Sequence, residues 1–115
     1  MCIRDRDYTV RGRVAESVGL AAAMKPTISE NIANDNGALA NACRGVTGIT
    51  VATKNTTSIG CGAGTGVLTV VTTVAAGGVT LTITPSAPNA DGTIVWTCAV
   101  SAAASNKFVP AECRI

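Results

Sequence analysis

Between Tyr8 and Asn36 apolar residues recur at three- and four-residue steps: Val14, Val18, Ala21 or Ala22, Met24, Ile28 and Ile32. That spacing draws an apolar stripe along one side of a helix. Arg11, Arg13, Glu16, Lys25 and Glu30 fall off the stripe, towards water or a partner. Asn34-Asp35-Asn36-Gly37 supplies the residue types that stop a helix. Pro26 lacks a backbone donor and clashes one turn back. A kink rather than a break is expected there, because Ile28 and Ile32 continue the stripe.

From Ala38 to Asn55 the periodicity fades into a loop, with one short helical turn expected at Ala38-Leu39-Ala40. After Thr56 the period becomes two. Ser58 to Cys61, Val67 to Val74, Val79 to Thr84 and Thr93 to Ala99 read as four strands, with Ile94, Trp96 and Cys98 on one face of the last. Gly62 to Gly66 and Ala75 to Gly78 are short turns, and Asp91-Gly92 closes the loop from Pro85. Strands joined by short connections pair antiparallel. The plan is α+β: a helix over residues 7–36, a loop over 37–55, a sheet over 56–99, and the helix laid on one sheet face.

The 115 residues make one domain. Apolar residues are 47% of the chain but aromatics only 3%, so the core is thin and cross-links would support it. Nine basic and seven acidic residues leave a net charge of +2, too weak to argue for nucleic acid or an anionic membrane. Charged residues are 14%, and Thr, Ser, Asn and Gly supply the polar surface in the manner of exported proteins. Five cysteines point to an oxidising compartment. Zinc is disfavoured, since there is no Cys-x-x-Cys and no histidine. No long apolar run spans a membrane, and no signal peptide is visible. Met1 to Arg6 carries the odd cysteine, Cys2, and a charge cluster without a stripe. It resembles a translated sequencing-adapter remnant, so residues 1–6 are read as foreign and residues 7–115 as the domain.

Enzymatic chemistry finds little footing. Glu16 and Glu30 lie fourteen residues apart on the helix, about 21 Å at the helical rise. A glycosidase pair needs roughly 5 to 9.5 Å. Without histidine the Ser-His and Cys-His nucleophile pairs are excluded, and no acidic calcium loop is present. The glycines from Gly60 to Gly66 miss phosphate-loop spacing and lie between two strands. No catalytic residue, metal or cofactor is expected. Asn55-Thr56-Thr57 matches a glycosylation sequon and is read as chance. Four cysteines allow three pairings. Cys43 with Cys61 and Cys98 with Cys113 is favoured, because both loops are short. Closing about 15 residues contributes about 3 kcal/mol in the chain-entropy model. The constrained segment from Ala99 to Glu112 carries Lys107 and Phe108 as its most contact-capable side chains.

Trp96-Thr97-Cys98 followed by Pro110-Ala111-Glu112-Cys113-Arg114 resembles the disulfide-bounded end of type IV pilins. Asp7-Tyr8-Thr9-Val10-Arg11-Gly12-Arg13-Val14-Ala15-Glu16 resembles the mid-helix segment of major pilins of the type IVa class, and Thr53-Lys54-Asn55 leading into Ser58-Ile59 is similar to that class too. The resemblance runs from about Asp7 to Arg114. It implies a long N-terminal helix on a four-stranded antiparallel meander, with a disulfide-bounded C-terminal loop over 98–113. It also implies a surface filament of many copies, serving adhesion, twitching motility, biofilm formation or DNA uptake. The implied partners are other pilin subunits, the pilus assembly machinery and a prepilin peptidase, with export through the inner membrane. No specific nucleic acid is expected, and the surface receptor is not named by the sequence. The family's leader and apolar first half of the helix have no counterpart before Asp7, so the chain reads as N-terminally truncated and as a monomer by itself. Within the family, Lys107 and Phe108 become the candidate surface contact, with packing under the loop as the alternative for Phe108. A minor pilin or secretion pseudopilin is the alternative; a free secreted module with a disulfide-stapled sheet is the alternative from outside it.

Overall fold

The computed structural model describes residues 3–115 apart from 87, 89 and 91, with side chains described from Asp7 onward. Cys2, and Asp91 of the expected turn at Asp91-Gly92, lie outside the described residues. The helical stripe folds as two segments, α1 (Ile3–Ala22) and α2 (Lys25–Asn34). The expected kink at Pro26 is thus an interruption of the helix at Ala23 and Met24. Its cause is local. Pro26 can neither bond nor pass the carbonyl of Ala22, four residues back, and α1 stops there. The Met24 N–H turns instead to the Ala21 carbonyl at 3.0 Å, and Ile28 N–H restarts the ladder on Met24 at 3.3 Å. Proline in the first turn of α2 lies where its missing donor has no intrahelical partner to lose.

The stripe itself survives the interruption. Val14, Ala21, Ile28 and Ile32 are fully buried, and Val18 and Met24 pack against them. Each buried Val or Ile contributes roughly 1.5–3 kcal/mol relative to exposure. The helix ends on Asn36, which takes the left-handed conformation (φ 56°), and the Gly37 N–H closes on the Ile32 carbonyl at 2.9 Å. That is the six-to-one bond of a helix-ending motif, with asparagine where glycine is commoner.

Four antiparallel strands follow in chain order: β1 (Thr56–Cys61), β2 (Leu68–Thr72), β3 (Thr80–Pro85) and β4 (Trp96–Val100). Their core face is the expected alternation: Ile59 on β1, Leu68 and Val70 on β2, Leu81 and Ile83 on β3, with Val79 just before it. Each strand differs from the sequence pattern by one to three residues at one or both limits, and two of the shifts have a visible cause. β2 ends at Thr72, not Val74, because residues 74–76 curl into a 3₁₀ turn. The buried Thr72 hydroxyl accepts the Val79 N–H at 2.7 Å, tying off that turn. β4 starts at Trp96, not Thr93, although Ile94 keeps its half-buried face and Ser86 N–H still bonds the Val95 carbonyl at 2.8 Å. The loop over 38–55 lacks regular structure except for one bridge, Ile49 with Ile59, which extends the sheet beyond β1. Gly48 beside it leaves no room for a Cβ, which would meet the Ile59 carbonyl.

The molecule is elongated, 51 × 29 × 18 Å. Hairpin geometry and contacts sort its two ends. The start of α1, the turn over 73–79 and the 3₁₀ segment Ala103–Phe108 share one end. The C-terminus of α2, the turn over 62–66 and the loop between β3 and β4 share the other.

Candidate functional site

The segment after Val100 has little apolar sequence, so its position must come from specific ties. Cys98 on β4 is bonded to Cys113 in the short 3₁₀ turn Ala111–Cys113, with Cα atoms 4.6 Å apart. Val109 is fully buried and roots the middle of the loop in the core. Asn106 binds the chain end at both groups: its amide donates to the Ile115 carbonyl and its oxygen accepts the Ile115 N–H, each at 3.0 Å. Arg114 Nε donates to the Asn106 carbonyl at 3.1 Å.

A fifth tie comes from the helix. Arg11 places its guanidinium fork on the Lys107 carbonyl, with Nε at 3.0 Å and Nη2 at 2.8 Å. The acceptor is neutral, so the fork holds the loop without cancelling the charge of Arg11. Sequence reading assigned Arg11 to water or a partner; it is instead a strut between α1 and residue 107. Two arginines at adjacent off-stripe positions carried no signal that would separate them.

The two candidate contact residues part company. Lys107 is exposed, its ammonium 5.0 Å from the centre of the Phe108 ring. Phe108 is half-buried and packs against the core, its ring beside Gly77 in the turn after β2. Gly77 has φ 86°, and a Cβ there would come 2.9 Å from Val10 and 3.2 Å from Phe108. A side chain at 77 would therefore be strained twice, by conformation and by space.

The second disulfide, Cys43–Cys61, has Cα atoms 5.7 Å apart and sits at the other end of β1. Asn31 of α2 donates to the carbonyls of Ala42 (2.8 Å) and Arg44 (2.6 Å), so the helix grips the loop on both sides of Cys43. Ala42 is fully buried, close under Gly66.

A buried polar joint links helix and sheet near the start of β1. Ser17 and Thr56 are fully buried and share one hydrogen bond of 2.6 Å between their hydroxyls. Asn55 is nine-tenths buried and its amide donates to Glu16. The sequon asparagine is thus bonded to the helix and lacks the open surface a glycan needs. Ser17 was legible in principle: it lies three residues after Val14 and four before Ala21, on the stripe. Among the described residues no group of three or more potential metal ligands converges. No described helix is long and apolar enough to cross a membrane.

Residues 10–114 match a family model described as pilin, a bacterial filament protein. The match takes in both disulfides, all four strands and the helix from Val10 onward.

Proposed function

The chain belongs to the pilin family, and from that premise we propose that it is the main subunit of a bacterial type IV pilus and meets surfaces through its C-terminal disulfide loop. Membership makes it a structural subunit that assembles with other pilin subunits into a surface filament; the family is structural, not enzymatic. The observation that carries the reading is the family match over 10–114 to a chain whose helix lies on a four-stranded antiparallel meander. The finer roles are adhesion first, with twitching motility, biofilm formation or DNA uptake beside it. Export through the inner membrane, prepilin peptidase and the pilus assembly machinery belong to the same proposal.

The loop supports adhesion in particular because it is both exposed and held. Five ties fix residues 99–112, so little ordering remains to be lost on contact. Lys107 is the outward group; Phe108 supports it from below. Deleting the gene should remove the filaments. Restoring it with Lys107→Ala should return filaments of normal number and length with weakened adhesion. Full adhesion by those filaments would remove Lys107 from the contact, and intact filaments after deletion would overturn the subunit role.

A further inference from the structure

Each end of the long axis carries a mostly apolar groove. At one end a groove of about 510 Å³ lies between α1 and the turn after β2, against Val10, Gly77 and Phe108. Val74 stands at the tip of that turn, 93% exposed. At the other end a groove of about 450 Å³ runs between α2 and the loop before β4, against Ala33, Gly37, Pro88 and Ile94. About 24 residues of helix separate them, roughly 36 Å at the helical rise.

The charges at the two ends are opposed. Among the described side chains the Val74 end holds Arg11, Arg13, Lys54, Lys107 and Arg114 against Asp7 and Glu16; Arg13 donates to the Ala75 carbonyl at 2.9 Å, a neutral acceptor that leaves its charge in place. Among the described residues the far end holds Glu30 and Asp35 against Arg44. Two copies joined through the Val74 end alone would face cation to cation. One copy's Val74 end on the next copy's far end brings unlike charges together, and that contact is heterologous. Contacts of this type do not close on themselves and build open filaments.

We propose that Val74 of one copy seats in the groove between α2 and the β3–β4 loop of the next, with Arg13 and Lys54 facing Glu30 and Asp35. The proposal rests on the filament-subunit reading and names the surfaces through which the globular parts meet. A single turn seated in one groove covers less than the ~800 Å² per partner of a standard specific interface. The contact is therefore weak between free copies and adds up only in an array. Lys107 stays uncovered. Phe108 lines the groove beside Val74, but Lys107 does not.

Concentration-dependent amide NMR of the chain carrying Cys2→Ser reads the contact directly. At low salt, raising the protein to about 1 mM, suited to weak encounters, should move two groups of signals, residues 74–78 and residues 33–37 with 94. In Val74→Asp both groups should stop moving. Adding unlabelled Cys2→Ser protein to labelled Val74→Asp should restore movement at 33–37 and 94 only. Movement on other faces, movement of one group alone, no movement, or far-end movement that survives Val74→Asp without added protein each overturn the proposal. Filament loss on gene deletion tests the subunit role separately, so the two readings fail independently.

Discussion

The two disulfides close loops of similar size, 18 residues from Cys43 to Cys61 and 15 from Cys98 to Cys113. In the chain-entropy model both contribute about 3 kcal/mol, within a few tenths of each other. Their surroundings differ far more. The first loop is gripped by Asn31 on both sides of Cys43, seated by Ala42, and extended onto the sheet by the Ile49–Ile59 bridge. The second has a single fully buried anchor between its cysteines, Val109, with Arg11 and Asn106 bonding backbone near the surface. Equal covalent ties thus do unequal work. One secures a segment that other contacts already hold, while the other sustains an exposed one. An adhesive loop needs the second arrangement, because its side chains must stay free of the core.

The sharpest break of that comparison is removal of each bond. Cys98→Ser with Cys113→Ser, and Cys43→Ser with Cys61→Ser, should each lower unfolding free energy by about 3 kcal/mol in denaturant titration. Hydrogen exchange should separate them. Loss of the terminal bond should release amides from 101 to 113, whereas loss of the other should leave the 49–59 pairing protected. Similar deprotection in both variants would erase the asymmetry.

Val109→Ala tests the buried anchor that follows Val100. Removing two methyls from a filled site should cost about 2 kcal/mol, and exchange in residues 103–108 should rise with the disulfide intact. A cost under half a kcal/mol would mean the bond alone holds the loop.

Arg11→Met keeps the stem and removes the fork. A loss of about 1 kcal/mol is expected for a charged donor on an exposed carbonyl. Exchange should change near Lys107 and not near Cys43. Lys107→Ala is the smallest effect, within about half a kcal/mol in thermal unfolding, because its side chain supports nothing. A larger loss would make Lys107 structural and weaken its claim to a surface contact.

Much of this architecture was legible in the sequence because period and burial are short-range. The stripe from Val14 to Ile32 and the alternation at Val79, Leu81 and Ile83 named the packed faces directly. The cysteine pairing followed from spacing. What the sequence hid depends on neighbours far along the chain. Arg11 meets a carbonyl 96 residues away, and Ser17 meets Thr56 across 39. No local pattern reports such partners. The start of β4 was placed early because Thr93 to Val95 has strand composition, but regular pairing with β3 begins at Pro85 with Trp96. At Pro26 the residue type was read correctly and its consequence underestimated, since the Ala22 carbonyl ends α1 outright. In the candidate site, composition marks both Lys107 and Phe108 as contact-capable, with packing under the loop the favoured alternative for Phe108. Only the packing against Gly77 shows that Phe108 faces inward.

The most direct measurement is immunogold electron microscopy of native filaments with antibodies against residues 99–112. If the chain is the main pilus subunit and its terminal loop faces outward, gold should decorate the filaments along their whole length. Filaments that this antibody leaves bare, on cells shown by blot to make the protein, would contradict the account.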